Sequence, residues 1–237
     1  MEPKTIDIEC KGYAVKADIY KGNKDSVVAL FLIGRTSSSS KPRYKEFLPR
    51  LAQDLGITSV IFDYTGHGDS PFDIEDLSPA QHFLEVITVF DWMKEKYPSR
   101  RFFVVGSSYG GFLATQLTKY KNFDGLILQA PAIYRPVDFY TPAKKWDENA
   151  TYSLRRDVEA LAKHPLLERA AQFEGKVLLV VHKRDERIPK ETTDAYANAL
   201  HPEVIVEDIP HSLGKATEQE LASYNQKLFD WIASNLS

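Results

Sequence analysis

The sequence predicts an α/β fold with a mostly parallel, eight-stranded sheet that carries helices on both faces. After the first 26 residues, apolar stretches typical of strands alternate with stretches typical of helices, and this order favours right-handed crossovers between parallel strands. The stretch Val27 to Ile33 is nearly all apolar, as expected of a strand covered on both faces. With 237 residues, of which 43% are hydrophobic, the chain suits one domain. We therefore expect residues 1–237 to form a single domain.

Two further strands are predicted before this alternation begins. Thr5 to Cys10 and Tyr13 to Tyr20 flank Lys11-Gly12, where glycine permits the tight turn of a hairpin. The later elements are strand Val27 to Ile33, helix Arg43 to Leu55, strand Ser59 to Phe62, helix Pro79 to Lys96, strand Phe102 to Val105, helix Gly110 to Tyr120, strands Leu126 to Gln129 and Val177 to Val181, helix Lys190 to Leu200, strand Val204 to Val206 and helix Glu218 to Asn235.

One long interruption separates two of the strands, at roughly Pro131 to Gly175. It is rich in aromatic residues, prolines and charges. We interpret it as a small cap inserted into the domain. Its aromatic side chains could line a substrate pocket or form the core of the cap itself; they include Tyr134, Phe139, Tyr140 and Trp146.

Composition and charge exclude several classes of partner. The formal net charge is -3, and the basic residues are scattered among acids, so we expect no nucleic-acid partner. The amino terminus lacks an apolar leader, and no later apolar run is long enough for a membrane span. Cys10 is the single cysteine, which suggests a reduced structural thiol. These features predict a cytoplasmic protein, and they leave its oligomeric state open.

The strongest chemical motif lies where a strand is followed by a helix. Apolar residues lead into the pattern G-x-S-x-G, Gly106-Ser107-Ser108-Tyr109-Gly110. A serine on this sharp turn is pushed out of the sheet at a helix amino terminus, whose dipole favours developing negative charge. Only Ser108 has glycine at both two-residue offsets, which excludes Ser107. The motif predicts Ser108 as a nucleophile, and a turn serine without chemistry is the alternative.

A serine nucleophile needs a base to take its proton and a third group to hold that base. His211 follows the last strand, at the sheet edge where Ser108 also lies. Asp185 follows the preceding strand at the same edge, so its carboxylate could accept a hydrogen bond from His211. Glu186, one residue away, is the alternative acid.

Three other histidines compete with His211 for the role of base. His164 lies in the interruption beside a proline, and His201 follows a helix. We expect both on the surface. His182 ends a strand too early in the chain. The comparison favours His211.

The chain order Ser108, Asp185, His211 is the order found in α/β-hydrolases. Asp63 to Ser70 resembles the D-x-x-G-x-G-x-S loop of that superfamily. Over nearly its whole length the sequence resembles the α/β-hydrolase fold, and within it the small single-domain serine esterases. The resemblance implies that His67, in this loop, shapes the site without taking part in the chemistry.

Two shorter segments resemble narrower groups. Gly66 to Ser70 together with Leu128 to Ala132 is similar to cinnamoyl and feruloyl esterases, and Ser108 to Phe112 is similar to the elbow of prolyl oligopeptidases. The chain has no room for the propeller domain of the latter. A small peptidase therefore stays an alternative.

The superfamily resemblance also implies an oxyanion hole. Its donors would be the backbone N–H groups of Tyr109 and Arg35, with Gly34 beside the substrate. Many members carry His-Gly where this chain has Ile33-Gly34, and Lys183 replaces a usual glycine in the acid loop. The Arg35 guanidinium could pair with a substrate carboxylate or phosphate, or be a solvated loop side chain.

These observations predict a serine hydrolase for carboxylic esters of small to medium acyl or aromatic acids. The expected partner is a small-molecule acyl substrate, and no metal or organic cofactor is implied. A thioesterase or small peptidase with the same triad is an alternative. A binding protein that has the fold without the activity is another.

Overall fold

Every strand of the described residues belongs to one eight-stranded sheet. The computed structural model describes residues 1–24, 26–38, 41–68, 70–98 and 100–236. The strands are β1 (Lys4–Cys10), β2 (Tyr13–Tyr20), β3 (Val27–Leu32), β4 (Thr58–Phe62), β5 (Arg101–Ser107), β6 (Gly125–Gln129), β7 (Lys176–Arg184) and β8 (Glu203–Pro210). Their order is β1-β2-β4-β3-β5-β6-β7-β8. β2 pairs antiparallel with β1 and with β4, and the other neighbours are parallel. The predicted fold class is confirmed.

The helices follow the strands in the predicted alternation. They are α1 (Phe47–Arg50), α2 (Pro79–Lys96), α3 (Tyr109–Leu117), α4 (Glu148–Leu154), α5 (Val158–Ala162), α6 (Pro165–Ala170), α7 (Lys190–Leu200) and α8 (Glu218–Asn235). α2 begins with a capping box, in which the Ser78 N–H donates to Gln81 Oε1 at 2.8 Å, and Pro79 occupies its first position. Within the described ranges, no helix has both the length and the apolar character that a membrane span requires.

The helix predicted over Arg43 to Leu55 is broken into three pieces. A 3₁₀ turn covers Lys41–Tyr44, α1 follows, and a π-helical turn covers Leu51–Leu55. Pro49 lies in the middle of this segment and lacks the N–H that a continuous α-helix would use. The segment ends at Gly56, whose φ of 72° lies in the left-handed region. The prediction of one regular helix was wrong for this reason.

Burial distinguishes the centre of the sheet from its edges. Every residue of β3, β4 and β6 is buried, which requires cover on both faces of the sheet. β1 and β8 lie at the two edges and keep many residues exposed. The most buried part of the sheet is therefore its centre.

The parallel strands bring four loops to one edge of the sheet. The carboxyl ends of β3, β5, β7 and β8 lead into the loops that carry Gly34 and Arg35, Ser108, Asp185 and His211. Open α/β sheets bind their ligands at this edge. The topology alone therefore gathers the predicted site residues.

The interruption between β6 and β7 consists of short helical pieces. It contains two 3₁₀ turns and the helices α4, α5 and α6. α5 and α6 pack against α7, and α6 also packs against α3. The insertion is thus attached to the helical layer beside the nucleophile strand. Its role as a cap stays a prediction.

Because the start of α3 lies so close to the end of β3, we expect one added methyl group at Gly110 to lower the stability of the fold markedly. A Cβ atom at Gly110 would lie 2.2 Å from the Leu32 carbonyl oxygen, and backbone would have to move to relieve this overlap. We expect Gly110→Ala to lower the free energy of unfolding by about 1–3 kcal/mol or more, as overpacking does. Urea denaturation measures the change.

Gly214→Ala is the matched control, because the nearest atom to its added Cβ is Ser212 Oγ at 3.9 Å. This variant should unfold like the parent protein. Equal stability of the two variants would contradict the close packing.

Candidate active site

Ser108 occupies a strained turn between β5 and α3. Its φ of 51° and ψ of -113° are unusual for a residue with a side chain, and such strain is concentrated at functional sites. Two backbone hydrogen bonds hold the turn: the Ser108 N–H donates to Gln129 O at 2.9 Å, and the Ala132 N–H donates to Ser108 O at 2.9 Å. The strand β6 and the residues after it thereby fix the serine in place.

Ser108, His211 and Asp185 form a continuous chain of hydrogen bonds. The distance from His211 Nε2 to Ser108 Oγ is 3.0 Å, and that from His211 Nδ1 to Asp185 Oδ2 is 2.7 Å. An ionised carboxylate only accepts, so Nδ1 carries the proton toward Asp185. Nε2 is then the free acceptor for the serine hydroxyl. The structure brings together the three residues that the sequence predicted as nucleophile, base and acid.

The loop after β7 turns the Asp185 carboxylate toward His211. Asp185 Oδ1 accepts hydrogen bonds from the Arg187 and Ile188 N–H groups at 2.8 and 2.7 Å. Both carboxylate oxygens are thus engaged, and the side chain is only 3% exposed. The Glu186 carboxylate instead pairs with Lys215 at 3.3 Å and contacts the backbone N–H of His211, not its imidazole. The geometry favours Asp185 over the alternative acid.

The competing histidines lie away from the serine hydroxyl. His164 is buried, contrary to the expectation that it lies on the surface. It caps α6, because its Nδ1 accepts from the Leu166 N–H at 3.2 Å while Nε2 contacts Tyr134 O at 3.0 Å. His201 is exposed, as expected, at the left-handed end of α7. His164 thus has a structural role.

The predicted oxyanion donors lie on the two loops beside Ser108. The Tyr109 N–H belongs to the first turn of α3, whose N–H groups have no partner within the helix, and Arg35 follows β3. A Cβ atom at Gly34 would lie 3.8 Å from Ser108 Cβ, an ordinary contact distance, so Gly34 directly borders the serine. His67 holds the same loop, since the Thr36 N–H donates to its Nε2 at 3.2 Å. Burial lowers the pKa of His67, which keeps the acceptor neutral.

A buried polar network supports Tyr109 from below. The Tyr109 hydroxyl lies 2.8 Å from His82 Nδ1, and His82 Nε2 lies 2.8 Å from Thr65 O. Because a carbonyl only accepts, Nε2 carries the proton and Nδ1 accepts from Tyr109. Glu85 accepts from the Thr65 N–H at 3.1 Å and from the Tyr13 hydroxyl at 2.8 Å. The network connects the amino-terminal hairpin with the nucleophile turn.

An open cleft of about 930 Å³ leads to Ser108. Gly34, Arg35 and His211 are among the residues that line it, and others come from the segment Pro42 to Glu46, from Arg187 and from the region around the start of α8. No aromatic residue of the described chain contributes to its walls. Most of the lining residues are polar or charged.

The aromatic residues predicted as pocket lining pack elsewhere. The Tyr134 ring lies 5.1 Å from the Phe112 ring of α3 and 5.0 Å from that of Trp146. Phe139 packs on the same Phe112 ring at 6.2 Å, whereas Tyr140 is 77% exposed. Three of the four rings thus hold the insertion against α3.

Arg35 is engaged in an ion pair. Its Nη2 lies 2.6 Å from Glu75 Oε1, and the guanidinium carbon lies 5.1 Å above the Trp146 ring. The side chain is 21% exposed. The structure therefore shows a third arrangement besides the two that the sequence left open: a cation already neutralised by the protein.

Arg43 is a cleft residue that sequence reasoning missed. Its Nη1 donates to Ser107 Oγ at 3.0 Å and its Nη2 to Gln129 Oε1 at 2.8 Å. Arg43 and Gln129 are 86 positions apart in the chain, and no local pattern marks the contact. The two acceptors flank the nucleophile turn.

A sequence profile identifies the family. The profile of Hydrolase_4, described as serine aminopeptidase, S33, matches residues 24–177, which is more than half of the chain. The chain belongs to the Hydrolase_4 family of serine hydrolases. Ser108 lies within the matched segment, whereas Asp185 and His211 lie beyond it.

Human monoglyceride lipase (Homo sapiens) is one relative of this chain. It is 29% identical over 108 residues, which cover 44% of this chain and 35% of the lipase. The matched segment thus spans about a third of the relative's length. The Hydrolase_4 family and this relative agree on hydrolase chemistry.

Solved structures share the fold. An esterase of Pyrococcus furiosus superposes with a TM-score of 0.70 and 20% identity, covering 100% of this chain and 91% of the esterase. The acylaminoacyl peptidase of Pyrococcus horikoshii gives a TM-score of 0.73 and 14% identity, covering 98% of this chain and 41% of the peptidase. A serine hydrolase without a lid from Xanthomonas campestris gives 0.67 and 16%, covering 100% and 97%. These superpositions establish an α/β-hydrolase fold for this Hydrolase_4 member.

Two buried histidines predict that the protein loses stability in acid. Burial lowers the pKa of His82 to about 3 and that of His182 to about 4, whereas an unfolded histidine titrates near pH ~6.5. Below that pH the unfolded chain binds protons that the folded chain does not bind, so stability falls as the pH falls. At about pH 5 the loss is on the order of 2 kcal/mol per histidine.

His182→Leu removes one of these groups. Urea denaturation at about pH 7 and pH 5 should therefore show a smaller loss of stability for this variant than for the parent protein. His201→Asn is the control, since His201 is exposed and asparagine tolerates its left-handed backbone. Identical losses in all three proteins would contradict the prediction.

Proposed function

We propose that this Hydrolase_4 member hydrolyses carboxylic esters of small to medium acyl groups, with Ser108 as nucleophile. The observation that carries the proposal is the unbroken hydrogen-bonded chain from Ser108 Oγ through His211 to Asp185. A weak hydroxyl nucleophile becomes reactive when a positioned base takes its proton. This unbroken series of hydrogen bonds favours a catalytic protein over one that only binds a ligand.

In the proposed reaction, His211 Nε2 takes the proton of Ser108 as Oγ bonds to the acyl carbon. The N–H groups of Tyr109 and Arg35 stabilise the charge on the carbonyl oxygen. The imidazolium then gives its proton to the departing alcohol, which leaves an acyl-enzyme. Water attacks the acyl carbon while His211 takes one of its protons. Release of the acid returns the proton to Ser108.

The shape and charge of the cleft support esters as substrates. The cleft is open and lacks an aromatic wall, which fits short acyl groups better than aromatic acids. An aminopeptidase, as in the description of the family, must also bind a substrate ammonium group. The cleft lining includes the cations Arg43, Lys45 and Arg187 against the acids Glu46 and Glu218. This balance disfavours a cationic substrate, and thioester hydrolysis stays the nearest alternative.

Removal of the nucleophile tests the proposal. Ser108→Ala should lose p-nitrophenyl butyrate hydrolysis by on the order of a millionfold, as loss of a triad serine does. Ser153→Ala, in an exposed position of α4, should keep the parent rate. Undiminished ester hydrolysis by Ser108→Ala would disprove the assignment.

A substrate panel separates the alternatives. Initial rates with p-nitrophenyl butyrate, a methyl hydroxycinnamate, butyryl-CoA and an amino-acid p-nitroanilide give a specificity constant for each bond type. We expect the short ester to be the best substrate. A higher kcat/KM for the thioester or the anilide would replace the ester proposal by one of its rivals.

Replacement of the acid tests its role separately. Asp185→Asn offers His211 an amide in place of a carboxylate, which disfavours the required tautomer, and kcat should fall on the order of ten-thousandfold. Glu186→Gln is the control because Glu186 pairs with Lys215 and meets His211 only at its backbone N–H, not at the imidazole. Stopped-flow or steady-state kinetics measure both. Similar kcat values for the two variants would contradict the assignment of Asp185.

A further inference from the structure

Arg43 holds a guanidinium group in the cleft beside the nucleophile turn. Its two hydrogen bonds reach Ser107, the neighbour of Ser108 in the chain, and Gln129, whose carbonyl oxygen accepts from the Ser108 N–H. The guanidinium carbon also lies 5.1 Å over the Tyr44 ring. These contacts orient the group, while Arg43 as a whole remains exposed.

The acceptors that hold Arg43 are neutral, so its charge is not cancelled. Within the described ranges Arg43 forms no ion pair, in contrast to Arg35, which is paired with Glu75. Two titratable groups lie near it in the interior, and both stay uncharged. Burial lowers the pKa of His182 and raises that of Tyr224.

A guanidinium has five N–H donors, and carboxylates or phosphates match its planar fork. Two donors of Arg43 are used by Ser107 and Gln129, and the guanidinium also contacts the uncharged Tyr224 hydroxyl. The remaining donors belong to an exposed group that lines the cleft. Lys45 and Arg187 add two further cations to the lining, against the acids Glu46 and Glu218. The local charge therefore favours an anion.

We propose that Arg43 selects esters that carry a negatively charged group, such as a carboxylate, close to the scissile bond. The inference rests on the proposed ester hydrolysis and narrows its substrate class. It also moves the anion-binding role from Arg35, which the protein itself neutralises, to Arg43. The charge can lie on the acyl part or on the alcohol part of the substrate.

Three esters distinguish these possibilities. p-Nitrophenyl butyrate is neutral, the p-nitrophenyl monoester of glutaric acid carries the charge on the acyl part, and 4-butyryloxybenzoate carries it on the alcohol part. Each is measured with the parent protein, Arg43→Gln, Arg43→Lys and the control Arg156→Gln. Arg156 is exposed and lies outside the cleft lining.

We expect at least one anionic ester to have a higher kcat/KM than its neutral counterpart, after correction for its rate with hydroxide. In Arg43→Gln the ratio of anionic to neutral kcat/KM should fall about 10- to 100-fold, the equivalent of one hydrogen bond to a charged group. Arg43→Lys should restore part of the ratio, and Arg156→Gln should keep all of it. If the ratio falls for only one of the anionic esters, that ester shows whether Arg43 contacts the acyl part or the alcohol part of the substrate.

The parent protein alone supplies a test that needs no variant. Because the cleft is open, added salt should reduce the preference for the anionic ester. If the parent protein has the same kcat/KM for the neutral ester as for both anionic esters, the inference is overturned and the proposed ester hydrolysis is left intact. An Arg43→Gln protein that loses all three activities equally would overturn the inference as well. Absence of any Ser108-dependent ester hydrolysis would instead disprove the proposed function.

Discussion

The site depends on the close approach of three backbone segments: the end of β3, the turn at Ser108 and the start of α3. Glycine at 110 is needed because any Cβ there would overlap the Leu32 carbonyl oxygen. At this approach Ser108 has a strained conformation, which Gln129 of β6 and Ala132 hold through backbone hydrogen bonds. The strained conformation persists because the surrounding sheet is buried on both faces and holds the turn in place. The same approach sets the Ser108 hydroxyl 3.0 Å from His211.

Three sets of polar side chains surround this turn. Beneath it, the network of Tyr109, His82 and Glu85 is buried and hydrogen-bonded. At its level, Asp185 is satisfied by two N–H groups and by His211. Above it, Arg43 is held by neutral acceptors and keeps its charge for a ligand. The proposed chemistry thus depends on Asp185 and His211, and the proposed selectivity depends on Arg43.

Local patterns in the sequence predict what local chemistry controls. The helix Pro79–Lys96 has the predicted bounds because a capping box and a proline define its start, and the meeting of Ser108, Asp185 and His211 follows from parallel strands that end at one edge. The break near Pro49 has a local cause, because proline lacks the N–H that a continuous helix would use. Contacts between distant segments carry no such signal: the burial of His164 and the hydrogen bond from Arg43 to Gln129 arise only from the folded chain.

We propose that this turn makes Ser108 a nucleophile activated by His211. A fluorophosphonate probe tests it directly, because only an activated serine forms the covalent adduct at neutral pH. Peptide mass mapping of the labelled, folded protein should find one adduct, located on Ser108, and His211→Ala should suppress its formation. A folded protein that remains unlabelled, or an adduct on another residue, would contradict the account.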